Sequence, residues 1–391
     1  MSSRTRWIVF LISTPIVVFV TVGGLLGAQR PGERAFPHRD TFEDVLALIM
    51  QAYVEPADMT KVLDGAMRGL ADSLDTSSAY LVPDEVKSIE SNAPQPAGDV
   101  GLIVTRQYWL RVVGVRDGSP AAKAGLQTGD FVRMIDGKPT RDLSSVAGNR
   151  LLRGAPGSKV SITVIRGNAA DPHNFDLVRT APAGEAITQK PLPGGGAHVR
   201  VSSFSPTVVA GLKTVFDALP KAKVGYAVID LRGTADGRLE DGIAAARLFV
   251  KSGVLAVRGG REPERTKIEA TAGDGAITMP VALLVSNGTA NAAEIFAAAL
   301  VGNERADLVG EPTAGIAAVQ KLVKLPENHG LWLTYQRYYT VDGKTAIHER
   351  GLRPTFGVEI PRLGFDELPP AADEPLAKAA ERVRDKLKKA T

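Results

Sequence analysis

The apolar positions of this chain change period several times, and each change marks a different kind of element. Trp7 to Ala28 is 22 residues without a charged side chain. As a helix rising about 1.5 Å per residue it would be about 33 Å long, enough to cross the apolar core of a bilayer. Arg4 and Arg6 precede it, which predicts a cytoplasmic N-terminus. A cleaved signal peptide is the alternative, but its apolar region is usually shorter, about 7–15 residues. The reading is a cytoplasmic tip over 1–6, a transmembrane anchor over 7–28 and a polar, Pro- and Gly-containing linker over 29–40. The bulk of the chain then lies on the periplasmic or other extracytoplasmic side.

Helical spacing follows. Phe42, Val45, Leu46, Ile49 and Val54 recur at roughly helical spacing, and Val62, Leu63, Met67, Leu70 and Leu74 form a second such run. Together they predict a helical hairpin within 41–92. Asn92 to Gly98 is rich in Pro and Ala and marks a boundary. From 98 to 182 the period shortens to that of strands. Leu102–Val104, Leu110–Val115, Phe131–Ile135 and Val160–Ile165 are separated by Gly and Asp turns. Ala181–Gly196 reads as a linker. Over 197–362 strands and helices alternate. Ala197–Val201, Tyr226–Leu231 and Val281–Val285 read as strands. Val208–Leu219, Gly242–Val250 and Ala292–Leu300 read as helices. That order predicts an α/β domain with helices packed on a sheet. The tail, 373–391, places Leu376, Ala380, Val383 and Leu387 on one helical face.

Composition narrows the chemistry. The formal net charge is +4 over 391 residues, too balanced to point to nucleic acid. There is no cysteine, which excludes disulfides, thiolate zinc sites and a cysteine nucleophile. Five scattered His residues give no metal-ligand spacing, so neither a metal nor another cofactor is expected. Hydroxyl, Lys and carboxylate chemistry remain.

The run from Val112 to Gly137 resembles the centre of a PDZ domain. Ser119-Pro120-Ala121 opens a short helix, Ala124-Gly125-Leu126 closes it, and Gly129-Asp130 leads into a strand ending at Asp136-Gly137. Upstream, Gly101, Leu102 and Ile103 match the loop whose backbone N–H groups hold a peptide's terminal carboxylate. The adjoining strand edge would accept an added peptide strand.

A second resemblance spans nearly everything after the anchor. Tyr53-Val54-Glu55, Ser73 to Leu81, the PDZ stretch, Val201-Ser-Ser-Phe204, Asp230-Leu-Arg232, Gly310-Glu-Pro-Thr313 and Arg337-Tyr-Tyr-Thr340 occur in the order found in the carboxyl-terminal processing peptidases. These are serine peptidases of bacterial envelopes and chloroplast lumens. The resemblance implies a Ser nucleophile opening a helix after a buried strand. It also implies a Lys base 25 positions later, which needs a desolvating pocket, and a supporting Gln four positions further on. Aligned without gaps, the nucleophile position is Asn291, the base position is Ile316 and the supporting position is Gln320. Of the paired glycines after Asp-Leu-Arg, only Gly237 is present.

An amide is no acyl-transfer nucleophile in this setting, and an aliphatic side chain takes no proton. Asn291 and Glu294 are instead expected to cap the helix they open, and Ile316 to fill the apolar pocket a Lys would have occupied. Thr289, with Ser286 behind it, is the candidate for a displaced nucleophile. Lys321 and Lys324 follow Gln320, but Lys321 should point to the opposite strand face. The expected molecule is a membrane-anchored, non-cleaving homologue that binds peptides or protein C-termini. An active relative would be a candidate partner, and oligomerisation is left open. The alternatives are an endopeptidase using a displaced nucleophile, and a structural envelope protein that binds no peptide.

Overall fold

The computed structural model describes residues 38–390 except 92, 93, 168–170, 183, 184, 366 and 369. The anchor expected over 7–28 and the tip over 1–6 lie outside these residues. Among the described residues no helix is long and apolar enough to cross a membrane.

Helices form at Arg39–Ala52 and Met59–Asp72, where the periodicity predicts them. The first buries none of its residues. A larger compact unit begins at Met67. Within it, Leu102–Gln107, Trp109–Val115, Phe131–Ile135, Lys159–Ile165 and His173–Val178 form an antiparallel sheet. Helices Pro120–Lys123 and Ser145–Leu151 belong to the same β domain. Its core includes Val104, Leu110, Val112, Val132, Ile162 and Val164. These residues alternate along their strands, as a half-buried sheet requires.

The α/β part is built on a six-stranded sheet. Gly196–Val201, Tyr226–Asp230, Val281–Val285, Ala306–Gly310 and Phe356–Gly357 run parallel in that order. Three of these strands are buried along their whole length. Both sheet faces are covered, which explains their unbroken apolar runs. Residues of helices Pro206–Ala218, Leu239–Arg247 and Ala292–Gly302 share one core with the sheet. The C-terminal helix, Glu374–Ala390, closes the other face. Its Ala379, Ala380 and Val383 meet Tyr226, Val228, Ala282 and Leu284.

A second sheet joins Ala79–Leu81, Gly330–Tyr339, Val254–Gly259 and Arg265–Glu269, with Ala318–Lys324 pairing on Gly330–Tyr339.

The segment read as a linker over Ala181–Gly196 holds a strand, Ile187–Leu192, antiparallel to Gly196–Val201. Its middle residues are exposed, so the apolar alternation that marks a strand is missing. Gly194 and Gly195, with φ of +78° and +76°, make the turn.

Candidate active site and its covering domain

The expected nucleophile position lies where the resemblance puts it, at the turn between the buried strand Val281–Val285 and helix Ala292–Gly302. Asn291 adopts φ 52° and ψ −122°, a backbone region that costs a non-glycine residue about 1–3 kcal/mol. The surrounding hydrogen bonds impose it. Thr289 Oγ1 donates to the Leu231 carbonyl at 2.8 Å. The Ala290 amide donates to Thr234 O at 2.9 Å, and Asn291 Nδ2 to Ala235 O at 2.8 Å. Three consecutive residues thus stitch the turn to carbonyls of the 231–235 segment. On the other side the Asn291 amide donates to Ile316 O at 3.2 Å, and the Ala314 amide to Thr289 O at 2.9 Å. Asn291 and Ile316, the positions that the resemblance assigns to the dyad, are therefore neighbours.

The expected helix cap does not form. The Asn291 side chain makes no cap hydrogen bond, because its amide points at Ala235. Glu294 turns inward instead. It is fully buried and accepts from Thr313 Oγ1 at 2.5 Å and from the Gly315 and Ile316 amides at 2.7 and 2.8 Å. Burial pushes its carboxyl up to about 7 against the pull of these donors.

Ile316 packs with Ala235, Ala290 and Ala314 in an apolar cluster that Ile103 and Val113 of the β domain complete. The β domain therefore sits directly on the dyad positions. Gly114 and Gly288 mark how closely. A Cβ on Gly114 would lie 2.7 Å from that of Ala235, and one on Gly288 would lie 2.7 Å from Val113 O. Arg111 Nη2 donates to Asn287 Oδ1. The Arg200 guanidinium grips Asp117 at 2.9 and 3.1 Å.

Thr289 does not suit a displaced nucleophile. It is fully buried, and its hydroxyl also accepts from the Ser286 amide at 3.0 Å. Ser286 Oγ accepts from the Gly233 and Gly288 amides, both at 3.1 Å. Gln320 Nε2 donates to Thr334 Oγ1 at 3.3 Å, and Thr334 Oγ1 in turn bonds Asp75 Oδ1 at 3.3 Å. Lys321 lies over the Tyr335 ring, and Lys324 pairs with Glu90 at 2.6 Å. Gly237 has φ +130°, and a Cβ there would meet Phe204 atoms at 2.7–3.0 Å. Packing alone therefore requires that glycine. Its former partner position, Asp236, lies 3.7 Å from Arg116.

Asp230, at the end of its strand, is buried. Burial opposes its charge, but His198 at 3.0 Å and Arg232 at 2.6 Å hold it well below the usual carboxylate range. In the Ser73–Leu81 stretch, Asp75 is likewise held low against its burial by nearby His348 and by the Ser77 and Ser78 amides.

The peptide-binding positions are also engaged. The Gly101 amide donates to Asp99 Oδ1 at 2.8 Å, and that carboxylate is clamped by both Arg116 terminal nitrogens at 2.8 Å. Leu102 is in the β-domain core, and Ile103 faces Ile316. On the next residue, Asn149 Oδ1 accepts from the Val104 amide at 3.0 Å, while its Nδ2 donates to Val104 O at 2.7 Å. The side-chain amide occupies the backbone groups that an added strand would use. Sequence reading missed Asn149, since a contact across 45 residues leaves no local signal, and it missed Asp99, although a carboxylate two residues before Gly101 is a local turn signal.

Comparison with known proteins agrees with this architecture. The model of peptidase family S41 matches residues 196–358, and a PDZ-domain model matches 111–166. The carboxy-terminal-processing protease of Bartonella bacilliformis is 30% identical over 326 residues, covering 82% of this chain and 75% of that protein. The carboxy-terminal processing protease CtpA of Bacillus subtilis is 28% identical over 361 residues, covering 90% and 75%. A solved photosystem II D1 C-terminal processing protease superposes with a TM-score of 0.68 at 25% identity, covering 90% of this chain and 95% of that one. With its PDZ domain seated on a mixed α/β peptidase fold, this chain belongs to the carboxy-terminal processing proteases of peptidase family S41.

Proposed function

We propose that this member of the family does not hydrolyse peptides and binds peptides or protein C-termini through its PDZ domain. The observation that carries the reading is the pair of side chains at the dyad positions. Asn291 spends its amide on Ala235 O, and Ile316 is packed among alanines. Neither can form an acyl-enzyme or accept a proton from a nucleophile. Removing the members of such a catalytic unit leaves only binding and oxyanion effects. On this reading residues 7–28 anchor the chain with its N-terminus in the cytoplasm, and the peptidase-like and PDZ domains work outside it. An active relative that uses the same peptides is the natural partner.

The second reading, a structural envelope protein with a closed groove, is favoured by one observation: Asn149 satisfies Val104 on the strand edge. Peptide pairing there exchanges the Asn149 amide for peptide backbone. Asn149→Ala should therefore strengthen peptide binding, whereas the structural reading expects no binding before or after.

Turnover of an unstructured protein by the purified chain, beside Asn291→Ala and Thr289→Ala, tests the absence of hydrolysis. The expected result is no turnover in any of the three. Turnover that survives Asn291→Ala and is lost in Thr289→Ala would overturn the reading in favour of a displaced nucleophile.

A further inference from the structure

The carboxylate loop of the PDZ domain is filled by the chain's own Asp99, but a second positively charged recess lies nearby. Next to the C-terminal ends of the parallel strands, a cavity of about 240 Å³ is lined by Arg111, Thr128, Ser286, Asn287, Glu311 and Arg362, among others. Clefts at the carboxyl ends of parallel strands are where α/β sheets bind ligands. A second cavity of about 600 Å³ shares Arg111, Gln127, Thr128, Asn287 and Arg362 with it and continues past Gly129–Phe131 to Leu363.

The charges in this cleft are not balanced in pairs. Arg166 is spent on Asp130 at 2.7 Å, and Arg232 on Asp230 and Asp373, both at 2.6 Å. Glu311 Oε1 accepts from the Ile360 amide at 3.2 Å. Among the described residues neither Arg111 nor Arg362 makes an ion pair. Arg111 has only the neutral Asn287 oxygen. Its own burial, and then the positive charge of Arg362, pull its guanidinium below the usual value. Glu311 brings one negative charge to the same lining, so Arg111 and Arg362 together leave the recess with one positive charge in excess, and guanidinium forks match a carboxylate geometrically.

The strap that carries Arg362 is itself held. The Leu363 amide donates to Gln127 Oε1 at 3.4 Å, and Arg166 Nη1 donates to Leu363 O at 3.1 Å. Phe365 lies under the Arg166 guanidinium at 3.9 Å. The backbone that carries Arg362 is thus held beside the cleft, and its exposed side chain lines the recess.

We infer that the Arg111–Arg362 cleft binds the terminal carboxylate of a peptide whose preceding residues lie in the adjoining larger cavity. The inference rests on the peptide-binding reading above, and moves the peptide's site from the Gly101 loop and the Val104 edge to this cleft, whose lining residue Val115 pairs with Leu102. The small cavity suits a carboxylate group, and the larger one gives room for several residues of chain. A free oxyanion would need only the first.

The test uses the full chain and two fluorescein-labelled pools of random hexapeptides, one with free C-termini and one amidated, read by anisotropy. The expected result is binding of the free-acid pool about tenfold or more tighter than the amide pool. That preference should be lost in Arg362→Gln and in Arg111→Gln and partly kept in Arg362→Lys, in line with the strength of a charge-assisted hydrogen bond. Arg362 is exposed, so its variants should fold even if those of Arg111 do not. An unchanged free-acid preference in Arg362→Gln would overturn the inference while leaving the peptide-binding reading intact. Equal binding of both pools would do the same. Displacement of both pools alike by millimolar inorganic phosphate would make the cleft a general oxyanion site and overturn it too. No binding of either pool to the unaltered chain would overturn both readings.

Discussion

Asn291 and Glu294 are three residues apart at the start of one helix, and they have fared differently. At Asn291 the group the family uses for chemistry is gone. At Glu294 the carboxylate the fold uses is present and fully engaged, holding Thr313, Gly315 and Ile316. The same contrast divides the two glycines of the Asp-Leu-Arg loop. Gly237 has no room for a side chain beside Phe204, and it remains. The other is Asp236, which is partly exposed near Arg116. On the proposed reading, what the backbone geometry requires has stayed, and what only the reaction requires has not. The comparison teaches that a strained catalytic turn can persist as architecture, because its hydrogen bonds to the 231–235 and 314–316 segments fix it without help from a reacting side chain.

The contrast breaks most easily at Glu294. Glu294→Ala leaves one hydroxyl and two amide donors buried without an acceptor. At about 1–3 kcal/mol for each unsatisfied group, it should cost at least about 3 kcal/mol in denaturant unfolding. A cost below about 1 kcal/mol would mean the turn is held by other contacts.

The next effect concerns pH. The Glu294 carboxyl titrates near 7 in the folded chain and near the ordinary glutamate value when unfolded. The folded state therefore holds the proton more tightly. Its contribution is full below about pH 4.5 and is lost as pH rises through 7, a change of about 3 kcal/mol. Asp75 and Asp230, both depressed, act with the opposite sign: their stabilisation is present above the unfolded aspartate range and lost in stronger acid. Melting curves between pH 5 and 7.5 should show a downward component that Glu294→Gln removes. An identical slope in the variant would remove Glu294 from the account.

Smaller in energy, but more informative about ancestry, is Asn291→Ser combined with Ile316→Lys. With the turn geometry already in place, the double variant should hydrolyse an activated peptide ester slowly, while each single variant does nothing, since the two groups act as a unit. If only Asn291→Ser were active, the base would lie elsewhere than position 316.

The smallest effect sharpens the strain argument. Asn291→Gly relieves a φ of 52° but loses the bond to Ala235 O, so the two should nearly cancel, within about 1 kcal/mol. Asn291→Ala loses the bond and keeps the strain, and should be the less stable of the two.

Much of this was legible in the chain. Phe131–Ile135 and Val281–Val285 have the predicted bounds, since buried strands between turn residues announce themselves. The dyad positions come from the family resemblance, and the Asn291 amide donates to the Ile316 carbonyl. The failures have physical causes. The strand Ile187–Leu192 has an exposed middle and so no apolar signature. A helix cap at Asn291 was the sensible reading of Asn followed by Glu, but positive φ turned the side chain toward Ala235. Asn149 on Val104 and Arg362 near Arg111 are side-chain events set by tertiary packing, which periodicity does not encode, whereas Asp99 on Gly101 is a local turn that periodicity also misses.

The most direct test of the central claim is labelling with a hydroxyl-reactive fluorophosphonate, followed by intact mass measurement and peptide mapping. The chain should remain unmodified, and the Asn291→Ser, Ile316→Lys variant should gain one adduct at position 291. A single stoichiometric adduct on the unaltered chain at Ser286 or Thr289 would contradict the account, because it would show a working nucleophile where the proposed reading expects none.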